Sequence, residues 1–450
     1  MPRRLTRRDV LAAAGAVALG SLAGCSGRGS GPRFWDDPPS LDVEGVPREF
    51  DRPVPDPPRI VPVDVEPAVA AAFADRVDRL LSSIPEPLTG GTLPNGAIRE
   101  QIETERAGAR EALPESDEAL PPLEAAERYA TARDRAATAA GTWAAVTVEG
   151  DPEAVTAGIG TVRNRAFETL EELPGPAADP VAGAAVYGPI ERWYDEARRR
   201  TLVGSGPADQ ANPLRTGDAA GEVERVQSLV ESGRYLRDRY AASLADPEAV
   251  AEPLRREMNR LGRAVGDRLR ELHGEGVEDL RQNPGTDAFV DDRAVARGAP
   301  SAALLSSAVY RSFDDMWFDP VAFDDYEPDD PATGLTRTAL ARTRLRALGD
   351  VADRVEAGET MFPDDAAAVS AARTAAVESA AALAGSENPL ARWLATQFLP
   401  LFAEPDGALA AGDRNARSTV EAYTRYRWIE TVTGEARTVA ASVEDSFEAN

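Results

Sequence analysis

Apolar positions recur along most of this chain at steps of three and four, the period of one face of an α-helix. Val69, Phe73, Val77, Leu80 and Ile84 form one such stripe. Val155, Ile159, Val162, Ala166, Leu170 and Leu173 form a second, and Val250, Leu254, Met258, Leu261, Val265, Leu269 and Leu272 a third. Alternating patterns of the strand type are scarce. Gly, Pro, Asn and Asp collect at 85–95, 203–220, 281–297, 319–334 and 357–363, which read as loops. The pattern predicts an all-α body over 66–450 whose core includes Leu170, Leu173, Leu269 and Leu272.

Parts of the pattern repeat. Asp151-Pro152-Glu153-Ala154-Val155 recurs as Asp246-Pro247-Glu248-Ala249-Val250, the signature of a helix start with Asp as N-cap and Pro at the first helical position. Three collinear matches accompany it. Arg128-Tyr129 with Arg133-Asp134-Arg135 pairs with Arg234-Tyr235 and Arg237-Asp238-Arg239; Leu170 to Gly175 pairs with Leu269 to Gly274; and Tyr187 leading to Trp193 pairs with Tyr310 leading to Trp317. Pro389 to Trp393 echoes Pro189 to Trp193. Ala- and Arg-rich composition produces part of this likeness by itself. The expected architecture is a helical bundle or an irregular α-solenoid of about three repeated three-helix units, at 120–203, 222–320 and 335–404, closed by a capping helix over 408–446. Arg beside Trp at 192–193, 392–393 and 427–428 is expected to place the aromatic inward and the guanidinium outward.

The first 24 residues follow a different rule. Thr6-Arg7-Arg8-Asp9-Val10-Leu11 resembles the twin-arginine export signal. The apolar run from Val10 to Leu22 is too short to span a bilayer but has the length of a signal core. It ends in Leu22-Ala23-Gly24-Cys25, which resembles a lipobox. The resemblance implies that residues 1–24 are removed, that Cys25 becomes the lipidated first residue, and that the protein stands on the outer face of the cytoplasmic membrane. It covers this segment alone and implies nothing about the body. Cys25 is the single cysteine of the sequence, so no intramolecular disulfide forms. Nine prolines between Cys25 and Asp64 predict a semi-rigid stalk over 25–65, reaching ~120 Å if extended at ~3.1 Å per residue, with Phe34 and Trp35 docking on the body or at the membrane interface.

Composition sharpens this picture. All 50 basic residues are arginine and they face 76 acids, giving a net charge of −26. Removing the first 24 residues, with their four arginines and one aspartate, takes it to about −29. Such a surface repels nucleic-acid phosphates and anionic lipid headgroups, so nucleic acid is excluded as a partner and membrane attachment requires the lipid on Cys25. Abundant acids, absent lysine and a pI near 4.6 resemble proteins of extremely halophilic archaea.

The catalytic inventory is thin. Without lysine there is no Schiff base, and a lipidated Cys25 is no nucleophile. The single histidine, His273, falls at an expected helix C-terminus, where a cation suits the dipole. Gly-x-Ser-x-Gly, His-Glu-x-x-His and phosphate-binding glycine motifs are absent from the sequence. Asp314-Asp315 one turn before Asp319 suits Mg²⁺ or Ca²⁺, since hard cations take several carboxylate oxygens. The spacing loosely resembles the Asp-rich motif of helical isoprenoid synthases, but a second such motif and the usual lysines are lacking. Asp324, Asp325, Glu327, Asp329 and Asp330 follow in an acidic loop. The reading is a lipid-anchored surface protein that binds or scaffolds a protein or small molecule. A carboxylate- or cation-dependent enzyme and a substrate-capturing transporter subunit are the alternatives.

One prediction rests on charge alone. High salt shortens the range of self-repulsion to a few ångströms. The unfolding temperature is expected to rise from low salt to molar NaCl or KCl; a flat response contradicts halophilic adaptation.

Overall fold

A computed structural model describes residues 34–36, 39–115, 120–147, 161, 164–165, 168–169, 172–203, 212–273, 289–290, 293, 295, 298–314, 330–411 and 414–449, without the side chains of 198–203, 273 and 313–314. The helices are α1 (Pro67–Leu81), α2 (Gly96–Ala112), α3 (Pro122–Val146), α4 (Pro180–Val203), α5 (Pro213–Ser243), α6 (Ala251–His273), α7 (Pro300–Asp314), α8 (Pro331–Glu356), α9 (Ala366–Ala384), α10 (Pro389–Phe398), α11 (Ala403–Ala410) and α12 (Ala416–Glu448), with short 3₁₀ turns at Phe34–Asp36 and Leu399–Phe402. Among the described residues the one extended pairing is an isolated antiparallel bridge between Ala177 and Glu248. The body is all-α, as its apolar period requires.

Local chemistry sets the helix ends. Pro67, Pro122, Pro180, Pro213, Pro300, Pro331 and Pro389 open their helices, where the missing N–H has no partner to lose. Asn95, Asp365, Asn388 and Asn415 accept backbone N–H groups as N-caps. Asp365 caps the start of α9 and Gly385 follows its end. Asn415 and Ser418 form a reciprocal capping box, so the helix expected over 408–446 begins at Ala416, behind the separate α11. A second correction concerns Asp246-Pro247. Glu248 exchanges both backbone hydrogen bonds with Ala177, at 2.8 and 3.0 Å, which holds it in an antiparallel bridge, and α6 begins only at Ala251.

Packing runs as a series of neighbours, α2 on α3, α3 on α5, α5 on α4, α4 on α8, α8 on α12 and α12 on α9, with α1 on α3 and α6 on α8. The α3–α5 pair is the most extensive and is antiparallel, since Arg133 meets Glu224 while Thr142 meets Gly217. A Cβ on Gly217 would lie 2.0 Å from Thr142 Oγ1, and one on Gly221 2.1 Å from Thr138 Oγ1, so only glycine admits this approach. At the other end α8 is buried along nearly its whole circumference. Trp193, Trp393 and Trp428 are buried, and the arginine before each is not.

Expected repeat boundaries at 222 and 335 fall inside α5 and α8. The segment 151–160 and Trp317, on which the duplication also rests, lie outside the described residues.

The expected stalk is corrected from residue 39 onward. Val46, Ile60, Val61 and Val63 are buried in the body's core clusters. Prolines leave few N–H groups to satisfy, and arginines take the carbonyls. Arg373 Nη1 donates to Arg52 O at 2.7 Å and Arg59 Nη2 to Val63 O at 2.7 Å. Tyr235 Oη accepts the Glu66 N–H at 2.9 Å. The segment is a strap from the α9–α12 end to α5. Phe34 rests on Phe362 and Trp35 under Arg417, so both aromatics dock on the body.

Of the expected core leucines, Leu173 and Leu269 are buried, Leu272 is half-buried, and Leu170 lies outside the described residues. Leu269→Ala is expected to cost ~2–5 kcal/mol by denaturant unfolding, and Leu272→Ala clearly less.

Candidate functional site

Tyr187, Ile190, Trp193 and Tyr194 of α4 are buried. Glu191 stands four residues after Tyr187 and three before Tyr194, which puts it on their face. It is 0 % exposed. Its Oε2 accepts the Thr333 N–H at 2.6 Å, and the Thr333 hydroxyl donates to Gly188 O at 2.7 Å. Thr333 lies in the first turn of α8, whose own N-cap, Asp330, makes no side-chain capping bond. Glu191 therefore caps α8 from a neighbouring helix. Gly188 permits the approach, because a Cβ there would lie 3.0 Å from Thr336 Oγ1 and 3.2 Å from Ala332 O. Glu191 Oε1 has no hydrogen-bond partner among the described residues. Burial pushes this carboxyl well above the usual range, with Asp330 adding to the rise and the N–H groups of Thr333 and Ala332 opposing it.

A second constellation joins α1, α3 and α5. Arg133, 3 % exposed, donates Nε and Nη2 to Glu224 at 3.0 and 2.8 Å and Nη1 to Glu231 at 2.7 Å. Arg76 reaches the same Glu224. Burial alone would raise the Glu224 carboxyl, but Arg76 and Arg133 together outweigh it and hold the group below the usual range. A third constellation lies between α9, α11 and α12. Arg373 grips both oxygens of Asp406 at 3.0 and 2.8 Å, and Tyr426 donates to Asp406 at 2.6 Å. Each arrangement satisfies a charge by joining helices that are far apart in sequence.

The residues expected to carry chemistry are placed as follows. Cys25, Arg7 and Arg8 lie outside the described residues. Asp314 ends α7, and its side chain, Asp315 and Asp319 lie outside them as well. His273 is the last described residue of α6, and its side chain lies outside the described residues. Among the described residues no group of three or more His, Cys, Asp or Glu is arranged for a metal, and no helix is long and apolar enough to cross a membrane.

Sequence reasoning missed the buried charges, although the signal was present. Ala126, Ala130, Arg133 and Ala137 step by four, three and four, as do Gly217, Gly221, Glu224 and Ser228, and Val369, Arg373, Ala376 and Ala380. A charge standing on a stripe of small or apolar residues is a buried charge with a partner elsewhere.

Glu191 supplies a test with a definite sign. A carboxyl raised in the folded state contributes stability below the unfolded value, and that stability is lost as pH climbs through the folded value. Wild type is therefore expected to lose stability relative to Glu191→Gln as pH rises from the ordinary carboxylate range, with the variant at least as stable at neutral pH. Glu191→Ala leaves the α8 N–H groups buried without an acceptor and should cost about 1–3 kcal/mol at every pH. Paired thermal melts across pH check both.

Comparison with known proteins divides the chain in two. Residues 68–246 match a family model described as a domain of unknown function (DUF8262), and residues 251–445 match a second, also described as a domain of unknown function (DUF8264). No curated protein and no solved structure matches the chain. The matched segments meet in the extended stretch before α6, so the chain resembles one of these families through α5 and the other from α6 onward.

Proposed function

We propose that this protein is exported through the twin-arginine route, is anchored by lipid on Cys25 to the outer face of the cytoplasmic membrane, and serves there as an all-helical binding or scaffold protein. The observation that carries the reading is Leu22-Ala23-Gly24-Cys25 placed directly after a short apolar run headed by Arg7-Arg8. The strap supports it, because Phe34, nine residues beyond Cys25, is already docked on the body. A scaffold role is supported by what the buried charges do: Arg133, Glu224, Arg373, Asp406 and Glu191 are engaged in holding helices together. The partner is a protein or small molecule met at the cell surface.

Mass spectrometry of the N-terminus of membrane-bound protein tests the anchor. A chain beginning at lipid-modified Cys25 is expected, and an unmodified Cys25 or an intact Met1 overturns the reading. Arg7→Lys with Arg8→Lys is expected to hold the precursor inside the cell. By burial arithmetic one acyl chain is marginal and two hold firmly, so a doubly acylated N-terminus is the expected form.

A further inference from the structure

Docking of the strap shortens the chain that is free to act as a tether. As a free stalk, residues 25–65 would reach ~120 Å. With Phe34 seated on the body, nine residues separate it from Cys25, and nine extended residues span at most ~32 Å. The Phe34 ring lies 5.8 Å from that of Phe362 and stands edge-on to Trp35 at 5.3 Å, and the Arg417 guanidinium lies 5.8 Å from the centre of the Trp35 ring. This clasp closes on the connection between α8 and α9 and on the first turn of α12.

Cross-helix contacts show which end of the body that is. Arg373 of α9 and Tyr426 of α12 share Asp406, and further along both helices the Thr433 hydroxyl donates to the Ser379 hydroxyl at 2.7 Å, so α9 and α12 run parallel. Arg354 of α8 donates to Thr431 and Arg346 to Glu435, so α8 runs antiparallel to α12. The starts of α9 and α12 and the finish of α8 therefore share one end. The strap passes the same place: a Cβ on Gly45 would lie 3.1 Å from Ala366 Cβ, and Arg414 donates to the Glu44 and Pro47 carbonyls at 3.5 Å. The 33 residues of α12 extend ~50 Å at ~1.5 Å each, which carries its other end, on the side of the buried start of α8, well away from the clasp.

We propose that the end formed by the starts of α9 and α12 is the face this protein turns to the lipid bilayer, held within ~32 Å of the headgroups by the Phe34–Trp35 clasp, with the C-terminal end of α12 projecting outward. The proposal rests on the lipid anchor at Cys25. Asp364 and Asp365 are exposed at this end, so anionic headgroups repel it as they repel the rest of the acidic surface, and the tether rather than charge keeps it close. A body repelled over its whole surface and tied at one point rests with that point nearest the membrane.

The test uses lipid-bearing protein reconstituted into vesicles of phosphatidylcholine and phosphatidylglycerol with an energy acceptor on the headgroups. Cys25 is the single cysteine and carries the lipid, so an added cysteine is the one free thiol for a donor dye. Ala367→Cys marks the start of α9, and Ala441→Cys lies on α12 about 38 Å beyond Ala416; both positions are exposed. Energy transfer is expected to be several-fold more efficient from Ala367→Cys than from Ala441→Cys. Phe34→Ala with Trp35→Ala should open the clasp and lower transfer from Ala367→Cys. A flexible linker of about twenty residues inserted between Gly27 and Arg28 should lower it as well, and this change leaves the folded body untouched. Equal transfer from the two positions, or more from Ala441→Cys, in protein that floats with the vesicles overturns the proposal and leaves the anchor standing. So does transfer from Ala367→Cys that is unchanged by the linker. Protein that does not float with the vesicles removes the anchor reading and this proposal together.

Discussion

The burial of the N-terminus of α8 is the constraint around which the second half of this protein is arranged. A helix start carries N–H groups without partners inside the helix, and sealing it from water requires an acceptor from elsewhere. Glu191 supplies that acceptor from α4. Once the end is satisfied, α8 can be surrounded, and α4, α6, α7 and α12 all pack on it. Its sequence suits this position. Alanines and a leucine stripe give close contact, and Thr338 and Thr343 return their hydroxyls to the Gly334 and Ala339 carbonyls at 2.7 and 2.8 Å, so they bring no open polar group into the core.

The first half solves a related problem with ion pairs and glycine. Gly217 and Gly221 bring α3 and α5 so close that Arg133 and Glu224 meet in the core. Helical glycine costs ~0.5–1 kcal/mol relative to alanine, and the gain is the extended contact that glycine alone allows. Removing one partner of such a buried pair costs far more than the pair contributes, because the other charge is left stranded. The acidic exterior and this paired interior are two uses of one composition: surface carboxylates remain hydrated, and among the described residues the buried ones each face an arginine or a helix end.

The strap ties the two halves together. It binds α9 through Arg373, contributes Val46 to the cluster under α12, and ends beside Tyr235 and Arg239 of α5. A pattern of prolines correctly announced an extended chain without secondary structure. It gave no indication that the chain lies on the body, because Arg373 and Tyr235, which hold it there, are more than a hundred positions away from the residues they bind.

Local sequence by itself determined the helical class, the core stripe from Val250 to Leu269, and the inward tryptophans, since these follow from interactions within a few residues. Tertiary structure decided the rest. Asp246-Pro247 has every local feature of a helix start, and Ala177 overrides it by taking both backbone bonds of Glu248. Glu191 carries the same side chain as any surface glutamate, and its role comes from the end of a helix that begins 140 residues later. Local sequence fixes which hydrogen bonds a segment makes with itself, whereas burial, and with it every charge partner, depends on which distant surface arrives to exclude the water.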